Sequence, residues 1–155
     1  MTRRWRAIGC VVAVFCACSA VRRAAANSEP VEIQVYAIRA TTANQEVSPE
    51  LKNLATMLSK QFKYTGFRLE KKSAGRVEME KTFETELIEG YSAQVTPREF
   101  KNGRVKMSLQ VSRREGEKSK QKVKTDLTTE RGKFVLVGVE KLGENEFLII
   151  AAAAR

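Results

Sequence analysis

Four lysines at alternate positions, Lys118, Lys120, Lys122 and Lys124, are the most pointed chemical feature of this chain. Residues two apart on a strand share a face, so four ammonium groups are expected in one row. A three-residue loop, Arg114-Glu115-Gly116, with Gly116 left-handed, is expected to join this strand to Arg104–Ser112 as a hairpin. In that register Val111 opposes Ser119, Leu109 opposes Gln121 and Met107 opposes Val123. Lys106 then faces Lys124 and joins the row, while Arg104 faces Asp126. Arg113 and Arg114 extend the charge into the loop. Arg104, Lys106, Lys118, Lys120, Lys122 and Lys124 are therefore the candidate anion-binding set, suited to polysaccharide carboxylates, lipid headgroups or a nucleic-acid backbone. No aromatic side chain interleaves with the lysines, so a stacking platform is missing and no specific nucleic acid is expected. The same pattern describes an edge strand guarded by lysine against other chains, and that reading is favoured.

Other reactive groups are scarce. The chain has no histidine, and Cys10, Cys16 and Cys18 are its three cysteines. Beyond Cys18 there is no thiol for a disulfide, a nucleophile or a metal. Glu78 and Glu80 are expected on one strand face, as are Glu84 and Glu86. Paired carboxylates hydrolyse glycosides when one is desolvated, but these stand among cations on a wet face, as surface charge. Ser59-Lys60 and Ser119-Lys120 are chain neighbours that point apart, so they form no base–nucleophile pair. Asp126 is the single aspartate, and neither a calcium loop nor a phosphate loop is present. No catalytic residue, cofactor or metal is expected.

The N-terminus carries an address. Arg3, Arg4 and Arg6 precede an apolar run from Ala7 to Val21, the pattern of a signal peptide, and the run is shorter than the ~20 residues a spanning helix needs. Ala24-Ala25-Ala26 suits cleavage after Ala26. Alternatively, Phe15-Cys16-Ala17-Cys18-Ser19 resembles a lipobox, making Cys18 a candidate lipidation site and a lipid anchor the route to the membrane. Residues 1–26 are thus expected as a signal peptide and residues 27–155 as one exported domain, periplasmic or extracellular. Five of the 28 basic residues precede Asn27, and the remaining 23 against 18 acidic ones give +5, not the +10 of the whole chain.

The elements must position these groups. Val31-Glu32-Ile33-Gln34-Val35 alternates as a strand. Ser48-Pro49-Glu50 opens a helix, with Ser48 as cap and Pro49 at the first position. Leu51, Leu54, Ala55, Leu58 and Phe62 form its apolar stripe, and Phe62, Tyr64 and Phe67 cluster near its exit as core. From Phe67 onward short strands alternate with glycine-marked turns. Val77–Phe83 reads as a strand. Pro97 makes its own strand an edge or a bulged one, and Lys101-Asn102-Gly103 is a turn. Phe134–Val139 and Phe147–Ala151 read as central strands or strands buried on both faces. The fold class is α+β and β-rich: one amphipathic helix with about seven to eight mostly antiparallel strands in a sandwich or open barrel.

The wording V-S-P-E-L-K-N-L followed by L-S-K-Q-F-K-Y-T-G-F-R-L, within Ala37–Leu69, resembles a group of small exported bacterial proteins of uncharacterised activity. The resemblance implies bacterial export and a helix-plus-sheet domain. The expected function is a non-enzymatic cell-envelope module for protein binding or assembly, with strand edges such as that at Pro97 open to an added strand. The alternative is a polyanion-binding domain using the lysine row.

Overall fold

The computed structural model describes residues 29–155. The expected signal peptide, residues 1–26, and Cys18 lie outside the described residues. In chain order come β1 Val31–Thr41, a 3-10 turn Pro49–Leu51, α1 Lys52–Gln61, β2 Gly66–Val77, β3 Phe83–Glu86, β4 Tyr91–Lys101, β5 Arg104–Glu115, β6 Lys118–Glu130, β7 Phe134–Lys141 and β8 Glu146–Ala154. They form two four-stranded antiparallel sheets, β2-β1-β8-β7 and β3-β4-β5-β6. The sandwich arrangement holds, with α1 as a third layer on the first sheet.

Alternation explains the layering. Ile33, Val35 and Ala37 of β1, with Leu148, Ile150 and Ala152 of β8, meet Ala93, Val95, Met107, Leu109 and Val111 of the second sheet in one core. The other residues of the same strands, Tyr36, Ile38, Ala40, Ile149 and Ala151, meet Leu51, Leu54, Leu58 and Phe67 in a second core under the helix. A sheet covered on both sides needs apolar residues at both parities, hence the unbroken runs. Phe147 joins this core beside Tyr64, with ring centres 5.7 Å apart, and beside Phe62, at 6.3 Å.

Several expectations shift. β8 is central, but β7 is an edge strand: Val135, Val137 and Val139 lean on the inter-sheet core and Leu136 on the helix-side core, while only β8 pairs with it. Ser48 does not cap the helix with its side chain. Its hydroxyl accepts the Leu69 N–H of β2 at 2.9 Å, and its carbonyl accepts the Leu51 N–H. The expected Val77–Phe83 strand breaks after Val77, where residues 78–82 cross from the first sheet to the second with Glu80 left-handed at φ 66°. Phe83 follows and lays its ring on Gly75, where a Cβ would come within 2.4 Å of it. β4 is an interior strand and carries a bulge between Pro97 and Glu99, so the bulge alternative holds.

Candidate functional site

The β5–β6 hairpin decides the fate of the lysine row. Its turn is tighter than expected: Glu115 opposes Lys118 across Gly116-Glu117, with Gly116 at φ 67°. A two-residue turn is favoured when its first central residue can take positive φ. That turn pairs Arg113 with Lys120 and Ser112 with Gln121, odd with even on both counts. Continued unchanged, it would aim Val123 and Leu127 outward, because a one-residue slip flips every side chain. A bulge corrects the parity. Lys122 is the extra residue, and past it Val111 opposes Val123, Leu109 opposes Thr125 and Met107 opposes Leu127. The register therefore lies four residues from the expected one. Lys106 opposes Thr128, not Lys124, and Arg104 opposes Glu130, not Asp126.

The four lysines consequently do not stand in one row. Lys120 pairs with Arg113, on the Val111 side of β5, whereas Lys124 pairs with Gln110, on the outward side. Lys118 and Lys120 are exposed, as is Lys124 on the other face. Lys122 turns under the sheet. Its side chain is 13% exposed, and its Nζ lies 3.1 Å from Glu140 and 3.4 Å from Glu115. A bulge and an inward-pointing charge are both devices that blunt an edge strand.

Lys122 belongs to an ionic cluster that sequence reasoning missed. Tyr91 is buried, and its hydroxyl donates to Glu140 Oε2 at 2.6 Å. The Arg113 guanidinium lies 5.2 Å from the Tyr91 ring centre. Burial and the bond to Glu140 push the phenol up to about 12. Hydrogen bonds from Tyr91 and Lys122 hold the Glu140 carboxyl below its usual range, and Lys122 is raised by Glu140 in return. Across β8, Glu140 and Arg39 oppose the same residue, Leu148. Arg39 spreads its guanidinium over Glu70 at 2.8 Å, Glu89 at 2.8 Å and Glu146 at 2.6 Å. The three carboxylates raise its affinity for the proton, led by Glu89, against the opposing effect of burial. Burial pushes Glu70 up, but hydrogen bonds from Arg68 and Arg39 win and leave it lowered.

Bulges build this end. Glu70 is the extra residue where β2 shifts against β1, and Glu140 follows the extra Val139 where β7 shifts against β8. Bulges re-aim side chains, and here they aim charges across the mouth of the sandwich. The signal was faint in the sequence: a charged residue beside an apolar one inside an otherwise alternating strand. The shifted carboxyls, Glu70, Glu130 and Glu140, are all lowered, the opposite of what a general acid needs. The cluster pairs its charges internally and clasps this end of the sandwich.

Of the two expected carboxylate pairs, Glu84 and Glu86 share a strand face and Glu78 and Glu80 do not. Glu78 and Glu80 lie in the crossover between sheets, and Glu80 accepts from Arg98 at 2.8 Å, so they share no strand face. Glu84 and Glu86 line a cleft of about 580 Å³ on the outer face of the second sheet. Among the described residues no group of acidic, histidine or cysteine side chains is placed to hold a metal, and no helix is long and apolar enough to cross a membrane.

Arg104 and Lys106 gather at the other end of the sandwich. With Lys101, Glu99, Asn102 and Thr128 they line a shallow cleft of about 410 Å³. Arg104 also borders a cleft of about 600 Å³ between α1 and the β6–β7 turn, beside Leu54, Met57, Lys133 and Arg155. Among the described residues Lys101, Arg104 and Lys106 make no ion pair within 4.0 Å, although Glu130 stands opposite Arg104 and Glu99 opposite Lys106. Comparison with protein-family models, with curated proteins and with solved structures finds no match, so the functional reading rests on this geometry.

Proposed function

We propose that the chain is a non-enzymatic β-rich module of the bacterial cell envelope that binds a partner protein on the outer face of the β3-β4-β5-β6 sheet. The observation behind this reading is that face itself. The first sheet is packed on both sides and the second on one. The free side presents cross-strand rows, Glu84-Gln94-Gln110-Lys124 and Glu86-Ser92-Ser112-Gln121, over a fixed core. Such amide and hydroxyl groups suit a partner recognised by hydrogen bonds.

The edges support the face over strand addition. β6 has its bulge and lysines, β2 and β7 are bulged, and β3 has four residues. The expected edge at Pro97 offers little ladder. β3 covers β4 only from Ser92 to Val95, Pro97 has no N–H, and its carbonyl already accepts the Glu80 N–H. Placement in the envelope follows from Arg3, Arg4 and Arg6 before the apolar run Ala7–Val21.

A photo-crosslinking residue at Gln94 or Gln110 should give one discrete adduct in cells, and one at Lys63, on the helix side, none. Adducts from both positions alike would refute the reading. A second reading, polyanion binding, is favoured by the cluster of Lys101, Arg104 and Lys106. It requires retention on heparin that falls steeply with salt and with Arg104→Gln.

A further inference from the structure

The two ends of the sandwich are chemically opposite. One is closed by ion pairs around Arg39 and Glu140. The other carries cations with few partners and the two large apolar side chains that are exposed among the described residues, Phe100 at 51% and Met57 at 38%. Phe100 precedes a tight turn in which Lys101 opposes Arg104, and Asn102 and Gly103 both take positive φ. The hairpin tip is thus a fixed geometry, not a loose loop. Arg131, from the β6–β7 turn, holds its guanidinium 5.8 Å from the Phe100 ring centre and donates its backbone N–H to Gly103. Arg104 and Met57 border the same cleft, so the cations and both apolar side chains share one end.

The path of the chain adds an independent observation. β1 starts at this end. The Glu32 N–H donates to the Arg155 carbonyl at 2.9 Å, and the Arg155 N–H donates back at 2.8 Å. Arg155 borders the cleft with Met57 and Arg104. Strand β1 therefore enters the sandwich beside the hairpin tip and not at the ion-paired end.

We infer that this end docks on an anionic lipid surface, with Phe100 entering the headgroup–acyl boundary and Lys101, Arg104 and Arg131 meeting the phosphates. Aromatic rings with cations around them favour the membrane interface, and each cation near an anionic leaflet adds to the attraction. A hydrated polyanion would use the cations but leaves the exposed ring without a role. The docked orientation leaves the outer face of the second sheet free for a protein, so this inference goes beyond the binding face proposed above.

The chain has one tryptophan, Trp5, so Trp5→Phe combined with Phe100→Trp gives a reporter at the hairpin alone. The full chain carrying both changes is mixed with phosphatidylcholine vesicles, with or without phosphatidylglycerol, that contain brominated lipid. The expected result is quenching and a blue shift in the anionic vesicles, absent in the neutral ones and lost in high salt. Lys101→Gln, Arg104→Gln and Arg131→Gln should each weaken the anionic response about fivefold. Equal quenching in both lipids would overturn the headgroup contacts, and no quenching in either would overturn the docking. Heparin binding that needs Arg104 but is indifferent to Phe100→Ser, without quenching by lipid, would assign the site to a polyanion instead. Adducts from Gln110 report on the protein partner and are independent of all these outcomes.

Discussion

Arg39→Met removes the guanidinium at the clasped end and keeps the aliphatic stem. The side chain is 18% exposed in the native fold and faces three carboxylates. Glu89 and Glu146 are 42% and 40% exposed and rehydrate easily, so each lost pair costs about 0.2–1 kcal/mol. Glu70 is 18% exposed and keeps only Arg68, so stripping its inner partner costs about 1–2 kcal/mol, toward the lower part of the range for a stranded buried acceptor. The expected loss is about 2–3 kcal/mol at neutral pH, read from urea unfolding at constant slope. The pH dependence carries a sign. Glu70 is held below its ordinary value of 4.5 in the fold, so its contribution is complete above about 4.5 and disappears as pH falls through the lowered value. The gap between wild type and Arg39→Met should therefore narrow on acidification from neutral toward pH 2. A double-mutant cycle with Glu70→Gln should show coupling of about 1 kcal/mol. A loss under about 0.5 kcal/mol, or a gap unchanged by acid, would refute the clasp as a stabilising element.

Leu58→Ala empties a fully buried site under the helix and should cost about 2–5 kcal/mol in the same assay; a cost near that of a surface change would mean that α1 is not anchored there. Gly75→Ala drives a methyl into the Phe83 ring and should cost about 1–3 kcal/mol, with Phe83→Ala relieving part of the loss in the double variant; strict additivity would show that the contact does not matter. Tyr91 binds its proton more tightly folded than unfolded, so its stabilisation is complete below about pH 10 and lost as pH climbs through about 12. Ultraviolet titration should show a phenol phase near 12 that Tyr91→Phe abolishes; a phase that survives the substitution belongs to another tyrosine.

The fold was legible where periodicity was clean. Leu51, Leu54 and Leu58 at helical spacing marked the face that α1 buries, and the doubled apolar parity of Phe147–Ala151 marked a central strand. What stayed hidden depended on single-residue offsets. Alternation cannot distinguish a three-residue turn from a two-residue turn followed by a bulge, because both keep Leu109 and Met107 facing the core. The lysine row followed from the first choice and dissolved with the second. The same offsets placed Glu70 and Glu140 in the clasp, so the ionic end was as invisible as its bulges. Lys106 was expected to face Lys124 and Arg104 to face Asp126; both instead gather with Lys101 at the other end. Phe100 is a β4 residue just before the turn. Its exposure depends on how far β4 runs beyond the sandwich, which local spacing does not encode.

The pairing of β1 with β8 has a consequence for how the protein comes into being. Ile33 lies against Ala154, so β1 waits for a partner strand far along the chain. Contacts that span so much of the sequence close slowly and cooperatively, because loop entropy must be lost before any pairing compensates for it. Until β8 is in place, the first sheet lacks a central strand and both cores lack a wall. β3 to β6 can meanwhile assemble as a meander of neighbours. The chain therefore stays uncommitted until β8 pairs. A chain whose β8 cannot pair would stall as an open half-sandwich, exposed to proteases and to its own kind.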